Sequence, residues 1–282
     1  MWRMECKTFN GLWLTDIDDT ILPSSGGSPR IYSYVSSFLR VLDDHCILTV
    51  PVTFKTKPEL KELSRRLNYS FKAYIAEGGC STIISEALVH SFSTNAASGE
   101  LEIVLCRSRL VLDEIFNSLE NSSCADKYVR LTSLTPYEAS ELLNTSLKEA
   151  ENAVNREFTE VVYSGSGECI KIIEKKAVSQ GFKAFKTRRF LHLAEAGKEE
   201  AVRRLLGLIG HRLKGLTISS GDSPADAAFL STAEVPIIVS NSHVDWFRRY
   251  PYLRISDSIP YSLIDTVSRL LLLKQPALNQ AY

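Results

Sequence analysis

The chain has 282 residues, 44% of them hydrophobic and 23% charged, with 33 basic and 33 acidic side chains in balance. That length suits one large domain or two, and the apolar share is enough for a full core. A net charge of zero argues against bulk nucleic-acid or anionic-membrane binding. The six cysteines (Cys6, Cys46, Cys80, Cys106, Cys124, Cys169) are scattered with no C-x-x-C pair. They are expected to form neither a zinc site nor a secreted disulfide framework. Met1 to Asn10 mixes Arg3, Glu5 and Lys7, unlike a signal peptide, and Leu270 to Leu273 is too short an apolar run to span a bilayer. The expectation is a soluble, cytoplasmic protein with no nucleic-acid or membrane partner, its oligomeric state left open.

The first element is an apolar strand, Leu12-Trp13-Leu14, running into Thr15-Asp16-Ile17-Asp18-Asp19-Thr20. Carboxylates do not remain unpaired in a dry core, so the strand's end faces solvent or a site. Asp16 there can meet one hard cation and act as a nucleophile, with Asp18 turned back as a second acid. A loop rich in serine, glycine and proline follows, then a helix over Ile31–Leu42. Cys46–Thr53 reads as the second core strand. Thr56 with Glu59 makes a capping box for the helix Pro58–Leu67. Ala73–Gly79 reads as a third strand closed by a glycine turn. This alternation predicts a parallel, doubly wound sheet.

The rhythm then changes. Leu101–Cys106, Tyr128–Thr132, Phe158–Tyr163 and Phe182–Leu193 read as strands. Leu110–Leu119, Thr135–Leu143, Ser146–Asn155 and Ile170–Ser179 read as helices. They suggest a separate α+β layer. From Lys198 the α/β pattern returns, with a helix over Glu199–Ile209 and a strand Leu216–Ser220 ending at Gly221-Asp222-Ser223-Pro224. A short helix to Leu230, a strand Pro236–Ser240 and a closing helix Ser262–Leu273 complete it. The expected fold is a doubly wound, Rossmann-like parallel-sheet core (1–87 and 194–282) carrying an inserted α+β cap (88–193).

Asp16, Asp18, Thr53 and Asp222 all fall at carboxyl ends of core strands, where doubly wound sheets place their sites. The Thr53 hydroxyl suits phosphate oxygens, Asp222 is a hard ligand for Mg²⁺, and Asp226 lies one turn on. Asp226, three residues after Ser223, also suits a plain helix-start charge. Lys198, ahead of a helix, can neutralise both nucleophile and phosphate.

This order of D-x-D-x-T, strand-end Thr, Lys before a helix and G-D-S-x-x-D resembles the haloacid dehalogenase superfamily of phosphatases. Within it the chain is similar to the mannosyl-3-phosphoglycerate phosphatases. The similarity extends to Thr53-Phe54-Lys55-Thr56, Glu77-Gly78-Gly79, Arg156-Glu157-Phe158-Thr159-Glu160 and Arg188-Arg189-Phe190-Leu191-His192. The resemblance implies Asp16 as nucleophile, Asp18 as general acid/base, and Thr53 and Lys198 as phosphate ligands. It implies a Mg²⁺ cofactor held by Asp16, Asp18 (through its carbonyl) and Asp222, with Asp226 alongside. Lys55 and the cap residues Arg156, Glu160 and Arg189 would meet a glycerate carboxylate and sugar hydroxyls. The implied reaction is Mg²⁺-dependent hydrolysis of mannosyl-3-phosphoglycerate through an aspartyl-phosphate. The alternatives are another sugar-phosphate ester, such as glucosyl-3-phosphoglycerate or sucrose phosphate, or a silent phospho-ligand binder. Asp19, Arg188, Glu199 and Ala225 depart from the pattern, which has glycine at the first three positions and asparagine at the fourth. His192 reads as a packed strand residue.

Overall fold

The computed structural model describes residues 6–24, 26–89, 99–120, 122–187, 189–240, 244–249, 251–256 and 259–272. In chain order the core begins with β1 (Phe9–Thr15), α1 (Pro29–Asp44), β2 (Ile47–Pro51), α2 (Lys57–Leu67), β3 (Ala73–Ala76), β4 (Ser81–Ser85), α3 (Glu86–Val89) and β5 (Glu100–Val104). The inserted cap supplies α4 (Asp113–Asn117), β6 (Val129–Arg130), α5 (Pro136–Leu143), α6 (Leu147–Val154), β7 (Glu160–Tyr163), α7 (Gly167–Ser179), β8 (Lys183–Lys186) and β9 (Leu191–Ala194). The chain returns to the core through α8 (Lys198–Ile209), β10 (Leu213–Gly221), α9 (Ala227–Leu230), β11 (Val235–Val239), β12 (Leu253–Ile255) and α10 (Tyr261–Leu272).

Five parallel strands make the core sheet in the order β12-β11-β10-β1-β2. A bridge between Val52 and Ile75 continues it towards β3. Because side chains alternate along a strand, β1 feeds two cores. Trp13 packs with α1, α2 and α10 on one face, while Leu12 and Leu14 pack with α8 and α9 on the other. Burial on both faces explains why β1 reads as an unbroken apolar run. The helices start where the sequence places capping residues. Ser28 caps α1 with Pro29 in its first turn, and Thr56 and Glu59 form the expected capping box on α2.

The cap is a four-stranded antiparallel sheet in the order β6-β7-β9-β8. Val162, Leu191 and Leu193 pack against α4 and α7. Val161, one residue along, faces the other way and packs with α5 and α6. The strand at Leu101–Cys106, expected to open the insert, is β5 and pairs with β4 beside the core instead. It is the third strand of a β3-β4-β5 sheet, so the cap sheet begins only after it. Two linkers join the bodies, and Arg107 in one is tied to Glu195 in the other, its backbone N–H donating at 2.6 Å and its Nε at 2.7 Å.

The expectation for the cysteines is overturned. All six are paired, as Cys6–Cys46, Cys80–Cys106 and Cys124–Cys169, closing sequence separations of 40, 26 and 45 residues. Spacing misled because each bridge joins positions that only the folded topology brings together. Cys6–Cys46 fastens the approach to β1 to that of β2, Cys80–Cys106 fastens the first linker to the start of β4, and Cys124–Cys169 pins α7 within the cap. Thiol titration of the denatured, unreduced protein should therefore find no free thiol, and six after reduction. Removing Cys80–Cys106 should cost about 3 kcal/mol in urea unfolding.

Candidate active site

β1 lies between β2 and β10, so its end is flanked by both neighbouring strand ends. The Asp16 N–H donates to Ser220 O at 2.9 Å and the Val52 N–H to Thr15 O at 2.8 Å. Behind Asp16 a buried chain of hydroxyls fixes the backbone. Trp13 Nε1 donates to Ser220 Oγ (3.0 Å), Ser220 to Thr15 Oγ1 (2.7 Å), and Thr15 to Asp16 O (2.7 Å). The next turn folds tightly, with the N–H groups of Ile21 and Leu22 both donating to Ile17 O at 3.0 Å. That turn swings Asp18 outward.

Lys198 opens α8, and its side chain is only 3% exposed. It donates to Asp16 Oδ1 at 2.7 Å and Asp226 Oδ1 at 2.6 Å, beneath the rings of Phe54 and Phe229. Burial alone would lower its pKa, but the two carboxylates outweigh burial and hold the lysine above its ordinary value. Asp226 Oδ2 meanwhile accepts from the N–H groups of Asp222 and Ser223 and from Ser223 Oγ. Asp226 thus caps its own turn and meets Lys198 in one placement, so the helix-start role does not exclude a place beside the site.

Asp16, Asp222 and Asp226 each bring one carboxylate oxygen within 4.8 Å of one another. One lysine does not balance three acids. Burial, reinforced by Asp226 and Asp18, pushes Asp16 up to about 7 despite Lys198. Burial, with Asp16 and Asp226, pushes Asp222 up to about 8. A crowded, all-oxygen, partly dry donor set is what a small divalent cation neutralises, so these residues fit one. The Asp18 carboxylate is not in this group among the described residues. It pairs with Lys55 at 2.9 Å and is 43% exposed, facing the mouth of the site.

Thr53 is buried at the end of β2, its N–H donating to Ile75 O at 3.0 Å and its Oγ1 accepting from the Lys55 N–H at 3.2 Å. The loop after it carries Phe54 beneath the cap, where it stacks on His192 with centroids 4.3 Å apart. Gly78 and Gly79 allow this close approach. A Cβ on Gly78 would sit 2.4 Å from the Phe54 ring, and one on Gly79 would sit 2.3 Å from Gly197 O, just ahead of Lys198.

The cap residues divide. Arg156 lies at the junction, donating through Nη1 and Nη2 to Phe54 O at 3.0 and 2.9 Å, which places it against the loop that carries Thr53 and Lys55. Glu160 is fully buried inside the cap. It accepts from Arg130 Nε, from the Thr132 N–H and hydroxyl, and from the Val161 N–H. With both oxygens so occupied, it is a structural counter-ion rather than a ligand for sugar hydroxyls. Arg189 is exposed and donates to Leu142 O at the end of α5. His192 is packed, as expected, and burial followed by Arg156 and Lys198 drives its pKa well below the ordinary value. Glu77 was not singled out as a site residue; its carboxylate is buried between core and cap. Its sequence signals are an acid at a core strand's end ahead of two glycines and the similarity carried by Glu77-Gly78-Gly79.

No family model matches the chain. A glucosyl-3-phosphoglycerate/mannosyl-3-phosphoglycerate phosphatase from Persephonella marina is 27% identical over 233 residues, 80% of this chain and 83% of that protein. A haloacid dehalogenase-like hydrolase from Bacteroides thetaiotaomicron superposes with a TM-score of 0.63 at 15% identity, over 91% of this chain and 99% of its own. One from B. subtilis gives 0.64 at 15%, over 92% and 99%. The chain has the haloacid dehalogenase-like hydrolase fold. A sucrose-phosphatase from Synechocystis, solved with sucrose and phosphate, shares it with a TM-score of 0.59 at 12% identity, over 93% of this chain and 98% of its own.

Three departures from the phosphatase pattern now have a physical setting. Asp19 stands where glycine is usual because the backbone there is left-handed, φ 55°. Aspartate tolerates that region better than most residues, and its Oδ1 also accepts from the Ser24 N–H at 2.9 Å. Glu199 pairs with Arg203 on the outside of α8, leaving Lys198 undisturbed. Ala225 packs in the turn that Asp226 caps. Arg188 lies outside the described residues.

Proposed function

We propose that this chain is a divalent-cation-dependent phosphatase acting on a glycosyl-3-phosphoglycerate, mannosyl-3-phosphoglycerate first. The observation that carries the reading is the buried Asp16–Lys198–Asp226 centre at the end of β1, covered by a cap. The relative from Persephonella marina supports the ester, and its double name makes the glucosyl compound the second substrate to try. The product would be mannosylglycerate, a compatible solute.

Lys198 holds Asp16 Oδ1, and the other oxygen attacks phosphorus in line while the bond to the glycerate oxygen breaks. Asp18, at the mouth beside Lys55, gives its proton to that leaving oxygen. The same carboxylate then takes a proton from the water that attacks the aspartyl-phosphate, releasing phosphate and restoring Asp16. Thr53 and Lys198 bind the phosphoryl oxygens. Asp16, Asp222 and the Asp18 carbonyl would hold Mg²⁺, with Asp226 orienting from behind, and the ion would supply charge neutralisation for the approaching phosphoryl group. Arg156, and Lys55 beside Asp18, would meet the glycerate carboxylate. Rapid acid quench during turnover should leave a phosphoryl group on the peptide carrying Asp16. A burst of glycosylglycerate release ahead of phosphate with no such adduct would exclude this route.

Asp16 and Asp222 sit at about 7 and about 8 in the folded, cation-free protein, against an ordinary 3.8. Between those values the folded state holds protons that the unfolded chain has lost, so their contribution to stability falls as pH rises through the window. Mg²⁺ should therefore raise Tm more near pH 9 than near pH 5, a difference that Asp222→Asn shrinks. Equal gains at both pH values would count against the cluster as the metal site.

Among the described residues no helix is long and apolar enough to cross a membrane. On location, the cytoplasmic expectation rests on the scattered cysteines, the mixed charges of Met1 to Asn10 and the short apolar run Leu270 to Leu273, and the three disulfides bear on the first of these alone.

A further inference from the structure

Glu77 closes β3 in a left-handed conformation, φ 46°, which is uncommon for a side chain of its size. Two hydrogen bonds fix it there. Its own N–H donates to Lys55 O at 2.8 Å, and the next residue, Gly78, donates to Thr53 O at 2.9 Å. The backbone of this turn is thus fastened to the loop carrying Thr53 and Lys55. The side chain goes the other way, into the cap. Its Oε1 accepts from the Glu157 N–H at 3.0 Å. Its Oε2 accepts from the N–H groups of Phe158 (3.1 Å) and Thr159 (2.9 Å) and from Thr159 Oγ1 (2.8 Å).

Consecutive N–H groups converging on one carboxylate make an anion cradle, and here the anion is a core side chain only 3% exposed. The segment so held begins with Arg156, whose guanidinium reaches Phe54 O and Thr159 Oγ1. The core loop, the cap segment and the arginine therefore share one anchor. Backbone strain at a residue joining two bodies points to a role beyond packing.

We propose that Glu77 is the positioning residue that seats the cap: its carboxylate holds segment 156–159 over the phosphate loop, and turnover of a large sugar-phosphate ester depends on that seat. The inference rests on the phosphatase reading for its kinetic half only. Glutamine has glutamate's shape but turns an NH₂ donor towards a cradle made of donors, so Glu77→Gln undoes the seat without opening a void. A small aryl ester, p-nitrophenyl phosphate, uses Asp16, Asp18 and Lys198 but has no sugar for the cap to read.

The test reads two things on Glu77→Gln. Amide exchange at Phe158 and Thr159, measured without substrate, should be at least about tenfold faster than in the parent, because charged hydrogen bonds are lost there. The kcat/KM for mannosyl-3-phosphoglycerate should fall at least about tenfold, while p-nitrophenyl phosphate hydrolysis stays within about threefold. Unchanged exchange overturns the proposal, and so do equal losses on the two esters. If the parent hydrolyses neither ester, the phosphatase reading fails while amide exchange alone still decides the seat. If Glu77→Gln does not fold, Thr159→Val removes the hydroxyl that Glu77 and Arg156 share, so there the amide exchange of Phe158 alone decides the seat, and unchanged exchange overturns it.

Discussion

Asp16→Asn should lower kcat for phosphate release by at least about a thousandfold, in a protein that folds as well as its parent or better. The first half follows from chemistry, since an amide oxygen is a poor nucleophile and cannot carry the phosphoryl group. The second follows from the electrostatics of the site. Burial already pushes Asp16 up to about 7, so the ionised carboxylate is held at a cost that the neutral amide avoids. Lys198 keeps Asp226 as a partner in the variant. Activity and stability should therefore separate: turnover lost, Tm unchanged or raised in the absence of divalent cation. A drop in Tm matching the loss of activity would mean that Asp16 is a structural ion-pair member and nothing more.

Lys198→Met should do the reverse and damage both. Three carboxylates, Asp16, Asp222 and Asp226, would then share a buried space with no ion-paired cation among the described residues. Breaking a buried ion pair by removing one partner costs about 3–5 kcal/mol, and methionine fills the volume without restoring the charge. Asp16 and Asp222 already lie above the ordinary carboxylate range, and losing the lysine raises both further. The folded protein then binds still more protons than the unfolded chain, so the deficit should widen from about pH 5 to about pH 9. Mg²⁺ should recover part of the stability. It should not recover turnover, which should stay at least about a hundredfold down because a phosphoryl ligand is gone. Urea unfolding at the two pH values checks the sign directly.

These two residues were legible in the sequence for different reasons. Asp16 announces itself because a carboxylate directly after a buried parallel strand has few structural uses. Lys198 gains meaning only from its order relative to Thr53 and Asp222. The parallel core was legible too, since burial on both faces leaves strands without polar alternation. What was not legible depended on long-range closure. Cys80 and Cys106 bridge across a hairpin edge and a linker, a proximity that no spacing rule encodes. Glu160 looked available because a glutamate beside a presumed substrate arginine is chemically apt. Only the fold shows Arg130 and Thr132 already on both its oxygens. The sequence places β5 with the insert because it cannot say which strand it pairs with, and β4 captures it. Glu77 escaped as a site residue because a carboxylate seated on backbone N–H groups leaves no mark in the side chains that surround it.

The core and the cap therefore pose separate questions, one about chemistry and one about choice of ester, and one assay addresses both. Phosphate release should be measured from mannosyl-3-phosphoglycerate, glucosyl-3-phosphoglycerate, sucrose 6-phosphate and 2-phosphoglycolate, with Mg²⁺ and with EDTA, beside Asp16→Asn. Turnover should prefer a glycosyl-phosphoglycerate, vanish in EDTA and vanish in the variant. Release of phosphate from none of these esters by the folded protein with Mg²⁺ present would contradict a phosphatase.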